Sequence, residues 1–232
     1  MDAITEIWKN LDWSVPVEIL LRVLPALLCI TLHELSHGYT AWRLGDTTAR
    51  DAGRLTLNPV KHIDPMGLLM MVVFRFGWAR PVPVNMFRFR HPRRGMAVTA
   101  LAGPVSNLLI CLTALFLYGL TFRPLMVDGV LGAAGRYISQ FFYLTAYISL
   151  GMGIFNLLPV PPLDGSKVLY SVLSDEAYLK LMRYERYGML LLLVLVWSGV
   201  LGSPLSQAVS WTFDKVFAAA EFGYKLTSGG LN

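Results

Sequence analysis

His33, Glu34 and His37 form the pentad His-Glu-Leu-Ser-His inside the run LLCITLHELSHGYTAW, residues 27–42. Four residues along a helix is a little over one turn, so both imidazoles project from one face and can meet a single ion. Neutral imidazoles leave Zn²⁺ its positive charge, which lowers the pKa of bound water to about 7. Glu34 sits next to His33, within reach of such a water without ligating, and a carboxylate there takes the proton as the oxygen attacks a carbonyl. The chemistry this pattern supports is metal-assisted hydrolysis. The same residues could instead be polar glue between helices, with Glu34 neutralised by burial. Burying all three in hydrocarbon without a metal costs several kcal/mol, which weighs against that alternative.

A catalytic zinc takes three protein ligands and keeps an open position. A histidine six residues after the second would complete one known arrangement, but Arg43 stands there, and the next glutamate after Glu34 is Glu176, outside any apolar run. His62, Asp64 and Asp164 remain as candidates. Asp164 stands out because it closes FNLLPVPPLDG, residues 155–165. Prolines end the helix there, and Gly165 permits a turn that brings a carboxylate back toward the apolar run. A plain loop-capping aspartate has the same spacing.

The elements that must position these groups are membrane helices. Of 232 residues 55% are hydrophobic and only 15% charged, which points to a membrane protein. Residues 97–122, 137–163 and 187–213 carry no Asp, Glu, Lys or Arg. Each exceeds the roughly 20 apolar residues that span a core about 30 Å thick. A fourth run, 19–42, is interrupted by Arg22 and the pentad. Trp13 and Trp42 are about 43 Å apart on a helix, close to the spacing of the two interfacial aromatic belts. His33, about 21 Å past Ile19, then lies roughly 9 Å inside the far face. Ser14 can cap this helix, and Pro25 is expected to kink it. Residues 67–74 are too short to cross, and the alternation in RPVPVNMFRFR, residues 80–90, reads as an extended edge strand. The expectation is an all-α polytopic membrane protein of about four transmembrane helices, with a short re-entrant or β-like segment between the first two.

Residues 1–14 read as an interfacial amphipathic lead with Ile4, Ile7, Trp8 and Leu11 at helical spacing, 15–203 as the core, and 204–232 as an amphipathic tail. The acidic N-terminus indicates no signal peptide. Ten of the twenty Lys and Arg fall between residues 43 and 94, against Asp46, Asp51 and Asp64. The positive-inside rule makes that segment cytoplasmic and headgroup-facing, and the charge is not read as a nucleic-acid site. Cys29 and Cys111 lie within spans and imply no disulfide, Cys29 reading as a small interface residue. Asp164 can meet the pentad only if the helices from 97 and from 137 run out and back while 67–78 does not cross. The loop charges fit that count: residues 123–136 hold two arginines and Asp128, whereas Lys167, Lys180, Arg183 and Arg186 follow Asp164.

Taken in order, the pentad, NPVKHIDPMG, GWARPVPVN, LAGPVSN and FNLLPVPPLDG resemble the site-2 protease family of intramembrane zinc metallopeptidases over roughly residues 17–200. The resemblance is to a compact form without PDZ or CBS modules. It implies one Zn²⁺ held by His33, His37 and Asp164, Glu34 as general base, and Asn156 as a residue that holds substrate or the oxyanion. It implies a single-span membrane protein as substrate, unwound against an extended edge near ARPVPVN, and a site near the cytoplasmic face of a bacterial inner membrane. Asn156 and Asn107 could instead simply hydrogen-bond neighbouring helices, and His62 reads as a supporting or loop residue. A metal-binding transporter or non-catalytic scaffold using the same ligands is the competing reading. Spans bare of polar residues outside the pentad and a few amides argue against a transporter.

Overall fold

The computed structural model describes residues 14–74, 77–174, 176–177, 181 and 185–229. The lead expected over residues 1–14 therefore falls, apart from Ser14, outside the described residues, as does Trp13. Helix α1, Ser14–Arg43, is 30 residues long with Pro25 inside it. Short α2, Thr48–Asp51, and a 3₁₀ turn, Pro59–His62, lead to α3, Pro65–Phe74. At about 15 Å, α3 reaches half-way across a hydrocarbon core. The Asp64 carboxylate caps it, accepting the Gly67 N–H at 2.8 Å.

The segment after α3 departs from the strand expected over residues 80–90. Among the described residues there is one isolated antiparallel bridge, Ile63 to Ala79, supported by the Arg80 N–H donating to His62 O at 2.9 Å. The chain stays extended only to Asn85, whose side chain accepts the Phe87 N–H and caps a 3₁₀ turn, Met86–Arg88. Pro81 and Pro83 have no N–H to give a ladder, so edge character survives without a sheet.

Helix α4, Pro92–Phe122, continues through a π-type turn, Arg123–Val127. Next come α5, Gly132–Asn156, and α6, Asp164–Ser171, then α7, Gly188–Trp197, α8, Gly202–Val216, and α9, Ala218–Ser228. Among the described residues, three helical stretches are long and apolar enough to cross a membrane: Pro16–Arg43, Pro92–Val127 and Gly132–Asn156. The single fourth span expected over 187–213 is instead broken, with α7 bent by 86° from the α8–α9 stretch. The sequence SGVLGSP explains the break: Gly199 adopts φ +72°, and Pro204 sits in the first turn of α8.

Polarity is arranged for lipid. Ile19, Leu20, Leu24 and Leu28 on α1, and Leu190, Val194 and Trp197 on α7, face outward, whereas Thr31, Asn107, Ser139, Thr145 and Ser149 are buried. A helix bundle with an apolar exterior and polar seams suits hydrocarbon, where an outward polar group would find no water. The chain is an integral membrane protein. Cys29 fills the seam between α1 and α5, its thiol donating to Thr145 O at 3.7 Å. Residues 204–229 pack onto the bundle: Gly119 and Gly223 let α9 lie against α4, and Phe213 and Ala220 join Cys111, Leu115, Ala146 and Leu150 in one buried cluster.

Candidate metal centre

The site is built where the last third of α1, the first third of α4 and the start of α6 meet. His33 and His37, one turn apart on α1, are both buried and face α4. The His37 Nδ1 donates to the Thr99 carbonyl at 2.7 Å. That bond fixes the tautomer and leaves the Nε2 lone pair pointing inward. His33 Nδ1 lies 3.2 Å from the side-chain amide of the fully buried Asn107, with Nδ2 placed toward the ring and Oδ1 left without a partner. Turning the amide over removes the orphan: Oδ1 then accepts an Nδ1–H from His33, and both imidazoles present bare Nε2 atoms to the same point.

Asp164 arrives from the other side. After Asn156, α5 ends in a series of tight turns, with Val160 N–H donating to Leu158 O and Leu163 N–H to Val160 O. Asp164 opens α6, where the helix dipole favours an anion. Gly165 packs directly on the carbonyl of Leu157, leaving no room for a Cβ, so this glycine allows the close turn. Asp164 Oδ2 lies 3.2 Å from His33 Nε2 and 3.1 Å from His37 Nε2, and the two nitrogens are 3.0 Å apart. Asp164 thus meets the pentad at the end of the bundle where α1 finishes, as the count of crossings requires.

Three such atoms on one point could hold a cation between them. With both imidazole protons turned outward, Asp164 Oδ2 has no hydrogen-bond donor. A proton shared with one ring would satisfy one pair only, whereas a single metal ion satisfies all three. Ligands about 2.0–2.1 Å from a tetrahedral zinc lie about 3.3–3.4 Å from each other. The observed triangle is within a few tenths of an ångström of that spacing, and its nitrogen, nitrogen, oxygen donors suit zinc. His62 and Asp64 are not among the converging groups: His62 bonds Thr56 O at 2.9 Å, and Asp64 caps α3.

Glu34, next to His33 on α1, is tied to the extended segment. Its Oε2 accepts the Val82 N–H at 2.9 Å. Further anchors hold that segment: Arg54 donates to Arg80 O at 2.7 Å, and the fully buried Asp46 accepts the Asn85 N–H at 2.6 Å. Asn156, at the last turn of α5, donates its amide to Met152 O at 3.0 Å and so is turned along its own helix.

Several residues at the site were not singled out by spacing. Thr99 contributes only a carbonyl, which no side-chain pattern reveals. Gly103 lies against the imidazoles: a Cβ on it would stand 2.5 Å from His33 Cε1 and from His37 Nε2. The signal was present in LAGPVSN, where a Gly-Pro pair inside a helix has no helical advantage and marks close packing. Gly103→Ala is expected to displace both rings and lower zinc affinity about 10–100-fold, comparable to losing an outer partner. Metal titration of the purified variant checks this, and affinity equal to wild type contradicts it.

The sequence model of peptidase family M50 matches residues 123–198. "Putative zinc metalloprotease YwhC" of Bacillus subtilis is 40% identical over 189 residues, covering 82% of this chain and 83% of that protein. "Putative zinc metalloprotease Rip2" of Mycolicibacterium smegmatis is 32% identical over 208 residues, covering 88% of this chain and 76% of that protein. An archaeal relative, "Putative zinc metalloprotease MJ0611" of Methanocaldococcus jannaschii, is 30% identical over 104 residues, 45% of this chain and 49% of that protein. No solved structure matches the chain. A metal-ready triangle inside a lipid-facing bundle and relatives of this likeness agree, and the chain belongs to peptidase family M50, the site-2 protease family.

Proposed function

We propose that this metalloprotease cuts the transmembrane segment of single-span membrane proteins, within the bilayer and near the cytoplasmic face of a bacterial inner membrane. The observation that carries the reading is the convergence of His33, His37 and Asp164 from two separate helices, with Glu34 beside them, inside a bundle whose exterior is apolar. His33, His37 and Asp164 hold one zinc. Bound there, zinc acidifies water to a pKa near 7 and polarises a carbonyl. Glu34 removes the proton from the attacking water and delivers it to the departing amine. Asn156 positions the scissile carbonyl once its amide leaves Met152 O. Density of Lys and Arg over residues 43–94 supports the cytoplasmic orientation.

Val82 has a part in the same scheme. Because residues 81 and 83 are prolines, its N–H is the only backbone donor in the Pro-Val-Pro run, and it is bonded to Glu34. That bond fixes the carboxylate relative to the edge along which an unwound substrate would lie. Val82→Pro removes the donor and is expected to lower kcat about 100-fold with KM and zinc content near wild type. Val82→Ala keeps the N–H and is expected to turn over normally. Normal kcat in Val82→Pro would remove Val82 from the scheme. A bonded, intact Glu34 beside the metal triangle also favours hydrolysis over transport or scaffolding, neither of which needs a base there.

The test uses the purified full chain in liposomes with a fluorescent single-span helix. Cleavage that maps by mass spectrometry to the bilayer segment, stops with chelator and returns with zinc is expected. Release only of soluble-loop fragments, or cleavage indifferent to chelator, would overturn the proposal.

A further inference from the structure

A second polar feature lies at the same end of the bundle as the metal triangle, on its outer surface. Arg43, the last residue of α1, and Arg90, His91 and Arg94, around the start of α4, line an open groove of about 540 Å³ floored by Phe89 and Val98. All four cationic or titratable side chains are exposed. Arg50 and Arg88, by contrast, pair with Asp51. Arg43, Arg90 and Arg94 have no acidic partner among the described residues, and no acidic residue lines the groove. Three uncompensated guanidinium groups on one concavity, beside the positive end of a 31-residue helix, form a site for a phosphate-bearing anion.

The surroundings select among phosphates. Arg94 and Val98 are one turn apart, and from Val98 an apolar strip continues along the same face of α4 through Leu101 and Val105. These side chains are 50%, 36% and 52% exposed, so the strip is open to hydrocarbon. A cationic groove at the membrane interface that runs into an exposed apolar strip matches an amphiphile, with phosphate at the arginines and acyl chain on α4. We infer that Arg43, Arg90 and Arg94 bind the headgroup of an anionic phospholipid. The site is independent of the protease reading and rests only on the membrane-embedded fold.

Native mass spectrometry of the purified full chain in detergent carrying equal phosphatidylglycerol and phosphatidylcholine tests this. One phosphatidylglycerol retained in preference to phosphatidylcholine is expected, with the preference falling about fivefold for each arginine replaced by glutamine. The triple variant Arg43→Gln, Arg90→Gln, Arg94→Gln is expected to show no preference while keeping its helical circular dichroism. If the triple variant does not fold, Arg94→Gln and Arg94→Lys decide, the lysine retaining part of the preference because charge survives without the bidentate fork. Arg136→Gln, at the opposite end of the bundle, is expected to behave as wild type. Equal retention of both lipids by wild type, or loss of preference in Arg136→Gln, would overturn the inference. Binding of inorganic phosphate that displaces the lipid, with no phosphatidylglycerol preference, would assign the groove to free phosphate and overturn the lipid assignment.

Discussion

Glu34→Gln is expected to keep one zinc per chain and to lose cleavage by about 10²–10⁴-fold, the span attributed to a positioned general base. Glutamine has the shape of glutamate, and its Oε1 can still accept the Val82 N–H, so the tether of the extended segment survives. What it cannot do is take a proton. Both ligand histidines keep their outer partners, Thr99 O and Asn107, which Glu34 does not touch. Metal content and cleavage therefore separate in this variant. Wild-type turnover in Glu34→Gln would end its assignment as base. Loss of zinc together with activity would make Glu34 a ligand instead.

Asp164→Ala is expected to lose metal and activity together. Removing the carboxylate leaves two neutral imidazoles, without the anion that faces both Nε2 atoms at 3.1–3.2 Å. The fall in zinc affinity should exceed the roughly 100-fold that loss of an outer partner costs. Asp164 also opens α6, so a folding effect must be kept apart from a metal effect. Asp164→Asn provides the separation: it preserves side-chain size while replacing the charged ligand with an amide that binds zinc poorly. A folded Asp164→Asn protein with reduced zinc is the expected result. Full zinc occupancy in that protein would remove Asp164 from the ligand set.

The histidine pair could be read from the sequence because periodicity fixes a helix, whereas the choice of Asp164 over His62 and Asp64 came from the family resemblance. Residues 33 and 37 must share a face whatever surrounds them, and two charge-free runs, 97–122 and 137–163, give the crossings that separate them from residue 164. Contacts made by backbone were beyond such reasoning. Neither the Thr99 carbonyl behind His37 nor the Val82 N–H on Glu34 has a side-chain signature, and both depend on how distant segments dock. The expected strand over residues 80–90 was half right for a related reason. Alternation gave the extended conformation, but two prolines and the Asn85 cap withhold the bonds that would make it a sheet. At 187–213 the absence of charge suggested one straight span, whereas Gly199 and Pro204 break it. Composition over a window identifies a lipid-compatible segment, and single residues decide whether it is straight.

Asn107 shows how a buried polar atom can be used. Seen as a sequence it was as good a helix bridge as a functional group. In the structure its backbone carbonyl accepts the Ser149 hydroxyl at 2.8 Å and its side-chain amide lies 3.2 Å from His33 Nδ1. A single residue thus connects α5 to the metal-facing side of α1, so packing of the bundle sets the orientation of a ligand.

Zinc K-edge X-ray absorption on the purified wild-type chain, beside Asp164→Asn, tests the metal centre most directly. Two imidazole nitrogens and oxygen at about 2.0–2.2 Å, in one equivalent of zinc that is diminished in Asp164→Asn, are expected. Sulfur at about 2.3 Å would instead place a thiolate such as Cys29 on the ion, one turn before His33, and contradict the triangle. So would a purified chain that cleaves a membrane helix with no zinc edge at all.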